Sequence, residues 1–187
     1  MKRQNLKLAP NIKPEADLVG RGIQWWRNER SDIDSSGKAV VGRIFRLQEI
    51  ALLTINDALA PHGLKYQEYG ILATLRTRGA PYRMTPSALQ ATLLFSSGGL
   101  SNILKRLERE GLVKRSNDPE DGRGVLVRLT AKGKSVVDLA MPDHANAELE
   151  LLHMFTLKER ETLALMLSRM MVGNAPELGS TLDAGTA

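Results

Sequence analysis

The chain has 187 residues, a formal net charge of +5, a pI near 9.6 and no cysteine. That length suffices for one domain with an arm and a sizeable core, and the missing cysteines exclude disulfides, thiolate metal sites and thiol-based redox sensing. The basic balance favours an anionic partner, no apolar run approaches the roughly 18 residues of a membrane span, and no secretory leader is evident, so a cytoplasmic protein with no membrane partner is expected.

Residues 1–21 are polar and interrupted by Pro10 and Pro14, which reads as a loosely docked arm. Residues 22–29 follow as a short amphipathic helix carrying Ile23, Trp25 and Trp26. Two adjacent indoles cannot both enter one helix-packed core. Either the helix caps the core, or one indole walls a ligand pocket or a subunit interface. Residues 32–37 read as a connector. From 40 to 60, Ile44, Leu47, Ala51, Ile55 and Ala58 recur at spacings of three and four, predicting a long helix that His62-Gly63 ends. Residues 64–78 form the next, with Tyr66, Tyr69, Ile71, Leu72 and Leu75, before Gly79-Ala80-Pro81.

Thr85-Pro86, a capping residue followed by proline at the first helical position, opens a short helix to about Leu93. Ser96 or Ser97 caps the next one, making a helix-turn-helix. From Gly98 the second helix carries Leu100, Ile103, Leu104 and Leu107 as one buried stripe. At roughly 100° per residue the opposite side holds Asn102, Lys105 and Arg109, flanked by Ser101 and Arg106. Gly98 lies near the same line, where a missing side chain lets the backbone approach a partner. Guanidinium and ammonium groups suit guanine O6/N7, and asparagine suits adenine N6/N7, so this face fits a major groove; a merely solvated helix surface is the plainer alternative.

The residues that follow favour the groove. Gly111 stops the helix, residues 112–115 read as a strand, 118–122 as a turn, and 124–130 alternate with Val125, Val127 and Leu129 on one face and Leu126 and Arg128 on the other. A hairpin set against a helix-turn-helix is a winged helix, with Arg123 at the tip and able to enter a minor groove. Residues 85–134 hold nine Lys/Arg against five Asp/Glu, so they carry +4 of the net +5. After the wing, Thr130 caps a helix through Ala140, bent at Pro142 and continuing to Leu152; Thr156 to Glu159 fits a capping box, behind which Leu163, Met166, Leu167 and Met170 form a stripe. Apolar stripes at both ends of the chain exceed what one small winged helix covers, which points to a homodimer interface.

The string from Asp121 to Thr130, DGRGVLVRLT, resembles the wing signature of the MarR family of bacterial transcriptional regulators, and the Gly98–Val113 string resembles that family's recognition helix and its exit into the wing. The similarity spans roughly Val40 to Met171. It implies a mainly α fold with a small β-wing: a winged-helix domain at 39–172, with a DNA-binding head at 85–134 and dimerisation helices at 39–61 and 135–172. Composition adds an arm with a short helix at 1–38 and, from its Gly, Ala and Ser, a disordered tail at 173–187. The resemblance also implies that Asp121 holds Arg123 for the minor groove. DNA-binding residues are therefore expected at Thr85, Ser96, Ser97, Gly98, Ser101, Asn102, Lys105, Arg106, Arg109, Asp121, Arg123 and Gly124. The implied protein is a homodimeric repressor on double-stranded DNA with a palindromic operator.

Residues 24–34 and 41–44 are similar to the extended N-terminus of the family's urate-responsive branch. There a tryptophan, an aspartate and two arginines surround the ligand. Trp26 matches the tryptophan and Arg115 one arginine, whereas Gly70 stands at the aspartate and Ile103 at the other arginine. The resemblance thus implies an effector more apolar than urate, such as an aromatic carboxylate or phenolic compound, in a pocket lined by Trp26, Tyr69, Gly70 and Arg115.

Enzymatic function is not expected. His62, His144 and His153 lack a His or Cys partner at metal-ligand spacing, Ser97-Gly98-Gly99 lacks the strand and lysine of a phosphate loop, and no nucleophile elbow occurs, so neither cofactor nor metal is expected. The rival reading is a winged-helix module for protein interaction without an operator.

Overall fold

The computed structural model describes residues 13–93, 97–117 and 124–174. After a turn of 3-10 helix at Pro14–Ala16, α1 (Leu18–Glu29) starts on Asp17, whose carboxylate accepts the Gly20 N–H at 2.8 Å. The helix therefore begins four residues earlier than its apolar pattern suggests, because a good N-cap outweighs two glycines in the first turns. Its Ile23 is buried, and α1 rests on the front of α2 (Ser36–Leu59), with Asp17 and Arg43 paired at 2.8 Å. The long helix buries Ile55 and Leu59 at its C-terminal end and leaves Val40, Phe45, Leu47 and Leu53 exposed.

Next come α3 (Tyr66–Thr77), β1 (Arg83–Met84), α4 (Pro86–Leu93), α5 (Ser97–Arg109), β2 (Val113–Asn117) and β3 (Val125–Leu129). Leu72 and Leu75 of α3, Leu89 of α4, Leu104 and Leu107 of α5 and Val127 of β3 meet in one core with Val137 of α6 (Ala131–Leu151). The apolar period of each element is thus satisfied by packing against the others.

The sheet is antiparallel in the order β1-β3-β2. The hairpin reading missed β1, which at two residues is too short to show a period of two. With β1 alongside, β3 is the central strand, and its burial departs from simple alternation: Leu126, Val127 and Leu129 are buried while Val125 is exposed.

Thr130 caps α6 by accepting the Gly133 N–H at 2.9 Å, and the helix passes through Pro142 to Leu151 without a break. The Thr156–Glu159 capping box is present, each residue accepting the other's N–H, and it starts α7 (Leu157–Asn174). This helix buries no residue, so its stripe of Leu163, Met166, Leu167 and Met170 stands exposed. Helix α7 runs through residues 173 and 174, into what the sequence suggested was tail; residues 175–187 lie outside the described residues. Among the described residues no helix is long and apolar enough to cross a membrane.

Candidate nucleic-acid interface

The hydroxyl of Thr85 accepts the Ala88 N–H at 3.1 Å and lies 3.0 Å from that of Ser87, so Thr85 caps α4. This expected DNA contact therefore already has a structural use. Ser97 is the first residue of α5; Ser96 lies outside the described residues. The two sides of α5 then divide cleanly. Leu100, Leu104 and Leu107 are at most 3% exposed, whereas Asn102, Lys105 and Arg109 are all exposed. Ser101 is half-buried at the margin. Gly98 is exposed, and a Cβ there would meet nothing within 4 Å, so the chain itself places no steric demand for glycine at that point.

Gly111, at φ +72°, ends the helix; its N–H bonds to the Glu108 carbonyl at 3.0 Å, and that of Leu112 to the Leu107 carbonyl at 2.9 Å. This pair of bonds is the Schellman arrangement, which needs the left-handed residue that glycine supplies. It turns the chain directly into β2, fixing the wing relative to the reading helix.

Arg106 departs from the expectation of a DNA contact. It is half-buried, its Nη1 lies 2.7 Å from Glu68 Oε1 on α3, and its Nε donates to Glu110 Oε1 at 2.9 Å. The bond to Glu110, with the field of Glu68, holds the guanidinium pKa above its ordinary value. At one residue from Lys105, Arg106 is turned about 100° toward α3 rather than outward.

At the wing, Gly124 is half-buried just before β3, and Asp121 and Arg123 lie outside the described residues. The sheet adds cations that the strand pattern alone did not single out. Lys114 on β2 and Arg83 on β1 both register with Arg128 on β3, and all three are exposed. Like charges directly opposite across a ladder destabilise it, so the facing pair of Lys114 and Arg128 by itself costs the fold some stability. Period-two spacing combined with register would have found the row, but β1 was not legible.

The expected effector residues sit on three elements. Trp26 on α1 is 41% exposed, and the Lys38 ammonium of α2 lies 4.0 Å from the centre of its indole. Tyr69 on α3 is buried and stacks on His144 of α6 at a centroid distance of 4.2 Å; burial, then Glu148 and Tyr66, push its phenol pKa up, so it stays a hydrogen-bond donor. A Cβ at Gly70 would touch only Leu93, at 3.6 Å. Arg115 on β2 pairs with Glu108 at 3.5 Å, yet its Nε and Nη2 are buried without a hydrogen-bond partner. None of the four lines the 490 Å³ cleft between α1 and α2, which is walled by Leu18, Val19, Arg43 and Ile50 among others. Trp26 faces α2 and is not brought against Tyr69.

Two helices separated by three residues of sequence, a basic outer face on the second and a three-stranded sheet beside them define a winged helix-turn-helix. The chain belongs to the MarR family of transcriptional regulators: a family model described as the MarR family matches residues 62–124, and the regulator PecS of Dickeya dadantii (strain 3937) is 32% identical over 148 residues, covering 79% of this chain and 89% of PecS. A MarR variant from E. coli, solved in complex with operator DNA, is similar at 26% identity and a TM-score of 0.66, covering 74% of this chain and 99% of that one. Bordetella bronchiseptica BpsR, solved to explain regulation of its DNA binding by 6-hydroxynicotinic acid, has a TM-score of 0.66 at 20% identity, over 74% of this chain and 95% of that one, a likeness of fold. These relatives are transcriptional regulators and not enzymes.

Proposed function

We propose that two copies of this chain form a dimer that holds a palindromic operator in the cytoplasm and represses transcription until a small aromatic ligand releases it. The observation that carries this reading is the division of α5. Leu100, Leu104 and Leu107 are sealed in the core with Ile103 half-buried beside them, and Asn102, Lys105 and Arg109 are exposed on the other side. In this reading they read bases in the major groove, Gly98 and Ser101 let the backbone come close, and Arg123, held by Asp121, enters the adjacent minor groove. Lys114 and Arg128 add phosphate contacts.

The dimer accounts for surface that one chain leaves bare. Helix α7 buries none of its leucines and methionines, and α2 exposes Phe45, Leu47 and Leu53. A second copy that covers these faces places two α5 helices about 34 Å apart, one turn of duplex, and so demands an inverted repeat.

For the ligand, Arg115 is the supporting residue: its side chain is half-buried and faces Glu108 at 3.5 Å, but Nε and Nη2 are buried without a hydrogen-bond partner, a cost that a carboxylate relieves. BpsR, whose DNA binding is regulated by 6-hydroxynicotinic acid, offers an aromatic carboxylate as precedent. Trp26, Tyr69 and Gly70 complete the pocket once Trp26 swings from Lys38. A ligand that prefers a different spacing of the two heads lowers DNA affinity by that difference in affinity alone.

A mobility-shift series over increasing salt, using DNA upstream of the chain's own gene and a scrambled duplex, tests the reading. Retention of the upstream DNA at physiological salt, with two chains per site, supports it. Equal binding to both duplexes at every salt concentration contradicts it.

A further inference from the structure

We infer that Glu68 and Arg106 form a clamp that fixes the rotation of α5 about its own axis, making Arg106 a positioning residue for base reading rather than a DNA contact. The inference rests on α5 being the reading helix. Glu68 is 4% exposed, the single charged residue so deeply placed among the described residues. Its Oε1 meets Arg106 Nη1 at 2.7 Å, and its Oε2 accepts the Lys65 N–H at 2.9 Å at the start of α3. The same guanidinium reaches Glu110 Oε1 through Nε at 2.9 Å. One planar group is thus tied to the first turn of α3 and to the residue just past the end of α5.

Stability alone does not explain such an arrangement. Burying a carboxylate is costly, and well-packed apolar residues in place of a buried ion pair are often as stable or more so. What an ion pair adds is direction. A leucine stripe by itself resists small rotations of the helix about its axis only weakly, since apolar burial is non-directional. A turn of about 20° moves a side-chain head about 6 Å from the helix axis by about 2 Å. Hydrogen bonds to base edges accept a window of only about 0.5 Å, so that turn would break them, while long flexible cations would still find phosphates. Arg106 lies next to Lys105 and three or four positions from Asn102 and Arg109, so its fork sets where all three point.

The test compares Glu68→Gln, which keeps the shape and the acceptor for Lys65 but removes the charge, with the wild type. A double variant, Glu68→Leu with Arg106→Leu, covers the case in which an uncompensated guanidinium disturbs folding; thermal melts establish that both are folded. Each is titrated with the tightest duplex recovered from a randomised pool and with a scrambled duplex. The clamp predicts that discrimination between the two duplexes falls by about 10-fold or more in both variants. Glu68→Gln keeps scrambled-duplex affinity within about 2-fold, because phosphate contacts tolerate the turn. Discrimination unchanged in both variants overturns the clamp and leaves the reading helix intact. Tighter scrambled-duplex binding by Glu68→Gln also overturns it, because a released Arg106 would then be touching DNA itself. A wild type that recovers no preferred duplex removes the reading helix and the clamp together.

Discussion

His144 lies almost flat against Tyr69, the ring centroids 4.2 Å apart and the planes 20° from parallel, so that α6 rests on α3 directly behind the reading head. The imidazole Nδ1 is 3.5 Å from Glu148, while its Nε2 is buried with no hydrogen-bond partner. Removing the ring and removing its polarity should therefore act in opposite directions. His144→Ala is expected to lose about 1–3 kcal/mol through a cavity and the lost stacking, whereas His144→Leu keeps volume, drops the unpaired nitrogen and should be neutral or stabilising. Urea denaturation of both variants checks this, and equal losses from the two would refute the role of the unpaired nitrogen.

A second tie between the same helices answers to acid. Asp138 on α6 accepts from Lys134 at 2.8 Å and from Arg76 of α3 at 2.7 Å. The Lys134 bond, then the Arg76 bond, hold its carboxyl below the ordinary value of 3.8. The folded chain binds that proton less readily than the unfolded one. The contribution to stability is thus complete above 3.8 and drains away as pH falls through the lower folded value. Asp138→Asn should melt below wild type at neutral pH, with the gap closing in acid; a gap that persists unchanged would show that charge is not the cause.

The cross-strand row offers a trade between stability and binding. Lys114 and Arg128 oppose one another in the register of β2 and β3. Arg128→Thr should raise stability by about 0.5 kcal/mol, since like charges facing across a ladder cost that order. It should also flatten the salt dependence of DNA binding by about one phosphate contact. Melting curves and a salt titration on the same sample measure both effects.

Effector binding isolates Arg115. Tryptophan fluorescence titrated with 6-hydroxynicotinate or benzoate should change in the wild type and in Arg115→Gln only at far higher ligand concentration. Trp26→Phe should silence the signal. Arg115→Gln should still shift DNA, now without release by ligand.

Much of this architecture was readable because its signals are local. The α5 stripe, in which only Ile103 stays half-buried, the Thr85, Thr130 and Thr156 caps and the Gly111 stop each need only a few consecutive residues, and each stands where the local pattern expects it. What escaped depends on long-range geometry. The β1 strand is defined only by its pairing with β3, and the departure of β3 from alternating burial at Leu126 shows only in the folded packing. Arg106 looked like one more cation on a basic face. Its turn inward depends on Glu68, a carboxylate that the α3 pattern gave no reason to bury. Adjacent indoles cannot share one core, and both Trp25 and Trp26 stand exposed, but no local signal places Lys38 over the Trp26 ring.

The central claim is that the free side of α5 reads bases. Selection of duplexes from a randomised pool by wild type, Asn102→Ala and Lys105→Ala addresses it directly. The account predicts that wild type recovers an inverted repeat with half-sites about 10 base pairs apart, and that each variant loses preference at its own position within the half-site. Recovery of the same sequence by all three, with affinity merely lowered throughout, would contradict it.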